Sequence, residues 1–365
     1  MSARPIRVVV AVVVAVVATW FVARPGFGRV EAARVDAVDW RATMKDGPFD
    51  VAADRNGVAV TTSARSVYLL DAEGHVRWRA AVDDVGLGQP ALGPDEVLVG
   101  GAASVTLLDR SDGSTRWTRA SEAAANSLAI AGDAALVGDD SGALTAVDVA
   151  TGDPRWSVRQ PGALWSGARV DRATGAVVAS WHQSDVPTVR VLDLATGALR
   201  WEAPTDRFSG APTVHGGRVV LTIGDGDRHA RVEARDLATG QVQWQTRVPA
   251  SFEEAIEPAA DDHAVAVVDH FGVVTLLDPG TGRVRWQHDL ADVLVATRVA
   301  LTGHRVALTS YAGVLHVLDR RDGHVVQRIG PARLGGFPVA TVQRGRALIL
   351  ALRLREWGVQ RRRLE

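Results

Sequence analysis

The acidic side chains that could bind a metal ion are concentrated in two short segments. Glu253, Glu254 and Glu257 lie close together, and Asp225 and Asp227 belong to the segment Gly-Asp-Gly-Asp-Arg-His. Carboxylate oxygens are ligands for calcium, but neither segment has the ligand spacing of a calcium-binding loop. We therefore expect no metal site in either segment. The second segment is more typical of a solvated hairpin tip.

The common catalytic motifs are missing from the chain. There is no phosphate-binding G-x-x-x-x-G-K-[ST] loop, no G-x-S-x-G nucleophile motif and no H-E-x-x-H zinc motif. The absence of cysteine excludes disulfides, thiolate catalysis, cysteine-bound zinc and a lipid-modified N-terminal cysteine. The ten histidines are scattered singly, and we interpret them as surface or satisfied core residues. These features predict a protein that is not an enzyme and holds no cofactor or metal.

Composition and charge indicate a folded chain without a signature of nucleic-acid binding. Of its 365 residues, 47% are hydrophobic and 23% are charged, which is typical of a globular protein. The net charge is −1, so no strong positive field favours nucleic acid or acidic lipid. We interpret Arg361, Arg362 and Arg363 as solvated charges on an edge strand, where they discourage pairing with another sheet.

The N-terminal segment differs from the rest of the chain, because residues 8–23 read VVVAVVVAVVATWFVA without a charge. As a helix this segment would span roughly 24 Å, slightly less than a hydrocarbon core of ~30 Å. A cleaved signal peptide, which would give a secreted protein, and a buried core segment are the alternatives to a membrane anchor. The predicted organisation is a cytoplasmic N-terminus at residues 1–7, a transmembrane signal anchor at 8–23, a linker at 24–34 and an exported domain at 35–365.

One pattern of Asp, Gly and Trp recurs about every 40 residues, the period of a repeat architecture. The segment Asp-Leu-Ala-Thr-Gly-Ala-Leu-Arg-Trp at 193–201 returns as Asp-Leu-Ala-Thr-Gly-Gln-Val-Gln-Trp at 236–244. A seventh copy carries Gln327 in the Trp position. The tryptophans of the other copies are Trp78, Trp117, Trp156, Trp201, Trp244 and Trp286.

Each copy of the pattern also predicts four short β-strands. A β-rich run such as LHVLD at 315–319 ends in the Asp, and a run such as RVALT at 305–309 precedes it. Asp and Gly then provide hairpin-turn chemistry, and the next strand carries the Trp. A further apolar run lies upstream, as in APTVH at 211–215. Four strands per repeat are typical of a propeller blade, so the fold class is predicted to be all-β.

The two ends of the exported domain complete one another in this scheme. PVATVQRG, RALILALRL and EWGVQRRRLE follow the seventh copy and supply three strands. VDAVDWRAT at 35–43 supplies a fourth, with Trp40 in the Trp position. We therefore predict an eight-bladed β-propeller with N-to-C ring closure. The alternative is seven blades with the C-terminal strands as an addition.

The string Asp-x-x-Thr-Gly-x-x-x-Trp, found at 148–156, 193–201 and 236–244, resembles the repeat of the pyrroloquinoline-quinone (PQQ)-like propellers. The resemblance covers about residues 35–365. That superfamily includes quinoprotein alcohol dehydrogenases, with PQQ and calcium, and non-enzymatic BamB-like proteins of outer-membrane assembly. The dehydrogenase resemblance implies a calcium site of Glu, Asn and Asp, a general-base Asp and often an adjacent pair of cysteines. This chain lacks the cysteine pair.

The same resemblance implies that the repeated indoles, with Trp40 among them, dock neighbouring blades. Each flat ring would pack between blades while its N–H finds a carbonyl. Burial of one such ring stabilises by ~3 kcal/mol or more. Gln327 cannot supply this packing, so we predict that the seam around the seventh blade is the weakest.

Strand order predicts which surface binds a partner. In a four-stranded antiparallel blade, the loops before the first strand and after the second lie on one edge, opposite the Asp-Gly turns. These loops are irregular and carry aromatic and charged residues, as binding surfaces do. Packing of the aromatics beneath the loops is the alternative. The predicted partner-binding residues are Trp165, Trp181, His182, Arg207, Phe208, Phe252, Glu253, His270 and Phe271.

Together these features predict a membrane-anchored, extracytoplasmic propeller that binds a protein or a cell-envelope component without catalysis. A small PQQ-dependent dehydrogenase is the first alternative. A ligand- or carbohydrate-sensing propeller that uses Trp165 and Trp181 is the second. Fold alone does not decide among these functions.

Overall fold

The computed structural model describes most of residues 35–365, and all elements with defined bounds in it are β-strands. The all-β prediction is therefore confirmed. Within this part of the chain, no helix is long and apolar enough to cross a membrane. The anchor predicted at residues 8–23 lies outside it. The described residues are 38–86, 88–164, 167–181, 187–205, 211–224, 229–249, 257–292, 299–331, 337–344, 347–353 and 357–363.

The described strands form eight antiparallel four-stranded sheets. In chain order, β1 (Val38–Met44) is followed by β2 (Pro48–Asp54), β3 (Gly57–Thr62), β4 (Ser66–Leu70) and β5 (Val76–Ala81) of sheet 1; β6 (Ala91–Leu92), β7 (Glu96–Gly100), β8 (Ser104–Asp109) and β9 (Thr115–Ala120) of sheet 2; β10 (Ala125–Ala131), β11 (Ala134–Asp139), β12 (Ala143–Asp148) and β13 (Pro154–Arg159) of sheet 3; and β14 (Arg169–Asp171), β15 (Ala176–Trp181), β16 (Thr188–Asp193) and β17 (Leu199–Pro204) of sheet 4.

The remaining sheets follow the same plan. They comprise β18 (Thr213–His215), β19 (Arg218–Gly224), β20 (His229–Asp236) and β21 (Val242–Pro249) of sheet 5; β22 (Ala259–Asp261), β23 (Ala264–Val268), β24 (Val273–Leu277) and β25 (Val284–Asp289) of sheet 6; β26 (Ala300–Leu301), β27 (Arg305–Thr309), β28 (Leu315–Asp319) and β29 (Val325–Ile329) of sheet 7; and β30 (Phe337–Arg344), β31 (Ala347–Arg353) and β32 (Trp357–Arg363) of sheet 8.

Burial explains why the repeat has this sequence pattern. The second strand of a sheet is covered on both faces, so every residue of β23 is buried. The fourth strand lies at the outer rim, and in β25 buried Trp286 alternates with exposed residues. The strands predicted from RVALT and LHVLD coincide with β27 and β28.

Sheet 8 combines the first strand, β1, with the last three strands, β30, β31 and β32. β1 pairs antiparallel with β32, with Ala42 opposite Val359, and β31 joins β32 to β30. The first strands of successive sheets contact one another from β2 through β26 to β30, and β30 in turn contacts β2. The sheets therefore follow one another in the circular manner of a β-propeller.

Neighbouring sheets are joined by a hydrogen bond from each of the six repeated tryptophans whose side chains the structure describes, and the side chain of Trp40 lies outside that part. The indole N–H donates to the backbone carbonyl of the residue that follows the turn Asp of the next sheet. A glycine with a φ between 70° and 78° lies beneath each ring, and a side chain there would collide with the indole. The bonds run from Trp78 to Arg110, from Trp117 to Val149, from Trp156 to Leu194, from Trp201 to Leu237, from Trp244 to Pro279 and from Trp286 to Arg320, at 2.8–2.9 Å.

The Asp of each turn organises the hairpin that receives the indole. In sheet 4, the Oδ1 of Asp193 accepts the backbone N–H groups of Ala195 (3.1 Å) and Thr196 (3.0 Å). The N–H of Gly197 donates to the backbone carbonyl of Asp193 at 2.8 Å. Arg200 then contacts the Oδ2 of Asp193 at 2.8 Å. The motif thus provides both the turn and the surface on which the previous sheet docks.

Sheet 7 lacks this contact, because Gln327 replaces the tryptophan. Its side chain is buried, and its Oε1 has no hydrogen-bond partner among the described residues. In sheet 8 the third strand is β32 and the fourth is β1, so no Asp-Gly turn connects them. The glycine on which an indole would stack is therefore absent from this seam.

Candidate partner-binding surface

Two edges of the sheets differ in their connections. The first edge, called here the loop edge, carries the connections from second to third strands and from each sheet to the next. The opposite edge, called the turn edge, carries the Asp-Gly turns. This division follows from the antiparallel order of the four strands, since every strand reverses direction.

Among the described residues, four connections at the loop edge share one compact turn, at residues 62–66, 139–143, 269–273 and 310–314. The fourth residue has a positive φ, between 54° and 93°, and its N–H donates to the carbonyl of the first. A side-chain oxygen of the first residue accepts the N–H of the fifth, at 2.7–3.3 Å. These bonds fix the backbone and leave the second and third residues at the tip.

The tip residues differ among the four turns, and two of the turns carry exposed aromatic rings. Phe271 of sheet 6 is 54% exposed and Tyr311 of sheet 7 is 55% exposed. The ring of His270 contacts Phe271 edge-on, with centroids 5.6 Å apart and planes at 89°. Aromatic side chains held on a fixed backbone lose little entropy when a partner covers them. Sheets 6 and 7 are neighbours, so both turns belong to one part of the loop edge.

The turn that carries Phe271 rests on the connection after β25. The N–H of Leu290 donates to the carbonyl of Gly272 at 3.0 Å. A Cβ at position 272 would overlap the carbonyl oxygen of Asp292. Only glycine therefore allows this close approach, and the φ of +93° also favours it.

Trp181 was predicted to belong to the partner-binding surface, and this prediction is wrong. Its side chain is fully buried, and its indole N–H donates to the carbonyl of Gly142 in sheet 3 at 2.8 Å. Trp181 therefore packs between sheets 3 and 4 and is not exposed to a partner, which also removes it from a carbohydrate site. His270 and Phe271 do lie at the loop edge. The other predicted residues lie outside the described part of the chain: Trp165, His182, Arg207, Phe208, Phe252 and Glu253.

Tyr311 is an exposed aromatic residue that was not among the residues predicted to bind a partner. It occupies the same tip position in sheet 7 that His270 occupies in sheet 6. The two turns read Asp-His-Phe-Gly-Val and Ser-Tyr-Ala-Gly-Val. Alignment of the two repeats through their second-to-third connections would have found it.

The described residues do not fit a PQQ cofactor with its calcium ion. Within them, no three or more His, Asp or Glu side chains form a group that could hold a metal ion. Glu257, just before β22, instead pairs with Arg169 at the start of β14. Both side chains are about three-quarters covered. The other acidic candidates, Glu253, Glu254, Asp225 and Asp227, lie outside the described ranges.

A small cavity at the turn edge is a weaker candidate for a binding site. It has a volume of about 180 Å³ and lies between sheets 5 and 6, lined by His215, Arg218, Asp262 and Pro279 among others. The Nε2 of His215 lies 2.8 Å from the Oδ1 of Asp262. Pockets for drug-sized ligands usually measure ~300–1,000 Å³, so this cavity could hold only a small molecule.

Comparison with known proteins agrees with the repeat and the fold. The family model described as outer membrane protein assembly factor BamB matches residues 27–186, 165–294 and 270–348. The chain belongs to this family, whose repeat is of the PQQ-like type. The outer membrane protein assembly factor BamB of Burkholderia pseudomallei is 26% identical over 299 residues, which cover 80% of this chain and 68% of that protein.

Solved structures extend the comparison to the whole propeller. The crystal structure of BamB from Moraxella catarrhalis superposes with a TM-score of 0.72 at 17% identity, over 89% of this chain and 97% of that one. A quinohemoprotein alcohol dehydrogenase from Pseudomonas putida superposes with a TM-score of 0.66 at 13% identity, over 90% of this chain and 76% of that one. At these identities the likeness shows the fold alone. The function must be argued from the surface.

Proposed function

We propose that this chain is a membrane-anchored, extracytoplasmic propeller that binds a protein partner in the cell envelope and catalyses no reaction. In this proposal the eight sheets are eight blades of one ring, which closes where β1 pairs with β32. Residues 8–23 hold the propeller at the membrane. The loop edge at sheets 6 and 7 receives the partner.

One observation carries the proposal: the exposed aromatic pair Phe271 and Tyr311. The six repeated tryptophans with described side chains bond to neighbouring sheets, and Trp181 is buried. Phe271 and Tyr311 instead point their rings out of turns whose backbones are fixed by hydrogen bonds. Aromatic anchors of this kind, surrounded by polar groups, contribute most of the binding free energy in protein interfaces.

The relatives give the proposal its cellular setting. The Burkholderia pseudomallei relative is named as an outer membrane protein assembly factor, so a protein partner in the envelope is the role that kinship favours. This chain has no cysteine that could carry an N-terminal lipid. We therefore assign membrane attachment to residues 8–23 and leave the identity of the partner to experiment.

Photo-crosslinking in the native host tests the proposal. p-Benzoylphenylalanine at position 271 or 311 of the full-length chain is expected to give one protein adduct of defined mass. The matched controls carry the same crosslinker at position 242 or 284, on the turn edge, where Val242 and Val284 are 44% and 37% exposed. Equal adducts from both edges, or none from the loop edge, would contradict the proposal.

A further inference from the structure

Residues 290–292, which follow β25, link the two aromatic turns and are called here the strap. On the side of sheet 6, Leu290 of the strap donates its N–H to Gly272, directly beneath Phe271. On the side of sheet 7, Arg328 of β29 donates to the carbonyl of Leu290 at 3.3 Å. The strap therefore touches the base of the Phe271 turn and a strand of the sheet that carries Tyr311.

A buried histidine makes the second contact between the strap and sheet 7. His316 lies on β28, which begins just after the Tyr311 turn, and its side chain is 2% exposed. Its Nε2 lies 2.9 Å from the Oδ2 of Asp292 in the strap. Its Nδ1 is buried and has no hydrogen-bond partner among the described residues.

Within the described part of the chain, His316 is incompletely satisfied in both protonation states. With one proton, Nε2 donates to the carboxylate of Asp292 and the lone pair of Nδ1 stays buried without a donor. With two protons, Nδ1 becomes a buried donor without an acceptor. A buried unpaired polar atom is costly. A change of protonation is therefore expected to shift the ring, the strap or both.

Charged groups on four elements lie near this pair. Asp292 lies in the strap, His288 and Asp289 lie at the end of β25, and Arg328 lies opposite His316 on β29. Asp269 and His270 belong to the turn on which the strap rests. Burial lowers the pKa of His288, and the nearby positive charge of Arg328 lowers it further.

We propose that His316 and Asp292 form a proton-linked latch, which sets the relative position of the Phe271 and Tyr311 turns. In this inference the partner-binding surface responds to the acidity of the compartment that it faces. This inference rests on the proposed function only where it concerns the binding of a partner. The latch itself is a property of the chain without a partner.

The two tyrosines of the sequence allow a direct test with the full-length chain. Incorporation of 3-fluorotyrosine gives one ¹⁹F signal from exposed Tyr311 and one from Tyr68. Tyr68 is buried in sheet 1 and donates to Asp46 at 3.1 Å, so its signal reports that the fold is intact. Both signals are followed from about pH 5 to about pH 7, where histidines titrate and tyrosine does not.

The latch predicts that the Tyr311 signal moves in one titration step while the Tyr68 signal stays in place. His316→Gln keeps a donor near the Nε2 position but cannot titrate, so it should abolish the movement with an unchanged Tyr68 signal. Asp292→Asn, which removes the charge on the strap, should reduce its amplitude. His270→Gln is the matched control at the neighbouring tip and should leave the titration intact.

Three results would overturn the latch: no movement of the Tyr311 signal in the wild-type chain, the same titration in His316→Gln, or loss of the titration in His270→Gln alone. None of these readouts requires a bound partner. A protein that passes this test but gives no crosslink at positions 271 and 311 would retain the latch and lose the proposed function. A protein that gives the crosslink but fails this test would retain the proposed function and lose the latch.

Discussion

The indole of Trp201 in sheet 4 packs against Gly240 in sheet 5. Its N–H donates to the carbonyl of Leu237 at 2.8 Å. A Cβ at position 240 would lie 2.7 Å from the Cδ2 of the ring. The tryptophan and the glycine of the repeat therefore form one packing contact between neighbouring sheets, which explains why they recur together along the sequence.

The contact between Trp201 and Gly240 predicts that Gly240→Ala destabilises the propeller. The added methyl group must displace the indole, which costs roughly 1–3 kcal/mol by overpacking. A positive φ adds roughly 1–2 kcal/mol for any residue with a Cβ. Denaturant unfolding of the full-length chain measures the sum.

Gly217→Ala separates these two contributions. Gly217 lies in the same sheet with a φ of 71°, against 73° for Gly240, but a Cβ there would meet no atom within 4 Å. We expect Gly217→Ala to show the backbone cost alone. If both variants lose the same stability, the indole contact contributes nothing to the loss.

The interface between sheets 7 and 8 is predicted to open before the interfaces between the other sheets. Gln327 offers no indole, and its buried Oε1 is unpaired in the described structure. Amide hydrogen exchange should therefore show residues 310–335 exchanging faster than the equivalent strands of sheet 6. Equal protection in the two sheets would show that this interface is not weaker.

A substitution at Gln327 tests the cause of this weakness. Gln327→Leu removes the unpaired oxygen, so we expect a gain of about 1 kcal/mol in the free energy of unfolding. Gln287→Leu is the control, since Gln287 donates to the Oγ1 of Thr275 at 3.1 Å. A gain from both variants would point to added apolar area and not to the unpaired oxygen.

Acid is expected to weaken the Asp-Gly turns. The hydroxyl of Ser111 lowers the pKa of Asp109 to about 2, and the guanidinium of Arg285 does the same for Asp278. Because these values lie below ~3.9 in the unfolded chain, the stabilisation is complete above about pH 4 and is lost as the pH falls towards 2. Thermal unfolding at a series of pH values would record this loss.

A double variant assigns that loss to the turns. Asp109→Asn with Asp278→Asn should be less stable than the wild-type chain near pH 6, by under about 1 kcal/mol per site because both groups are partly solvated. Its stability should also fall less steeply between about pH 4 and pH 2. Asp83→Asn, at an exposed position, should retain the wild-type slope. A steep wild-type slope in the double variant would place the acid sensitivity elsewhere.

PQQ with calcium is expected to give no saturable heat when it is titrated into the folded full-length chain. The described residues offer no acidic cluster for the ion, and Glu257 is already paired with Arg169. Isothermal titration calorimetry measures this directly. Saturable one-to-one binding would support a dehydrogenase and direct attention to Glu253 and Glu254.

The sequence predicted those features that depend on local pattern. Runs such as RVALT became β27, because alternation and burial are decided within one repeat. The missing fourth strand of the last repeat, together with Trp40 in the Trp position, also predicted that VDAVDWRAT lies in a strand, and β1 covers most of it. Hairpin chemistry, carried by Asp and Gly, placed the turns correctly.

Features that depend on neighbouring sheets could not be predicted in this way. The acceptor of Trp181 is Gly142, one repeat earlier, so nothing near Trp181 in sequence indicates that its ring is buried. Arg169 and Glu257 form an ion pair although they lie 88 residues apart, and no local pattern indicates this contact. Tyr311 was missed because its turn begins with Ser310, whereas the aligned turn of sheet 6 begins with Asp269.

Phe271 and Tyr311 are proposed to bind a protein partner. The most direct measurement is the adduct yield in the native host from p-benzoylphenylalanine at position 312, with and without Phe271→Ala and Tyr311→Ala. Loss of two aromatic anchors should lower the yield about tenfold or more, whereas Val242→Ala with Val284→Ala should leave it unchanged. An undiminished yield without the two aromatic rings would contradict the claim.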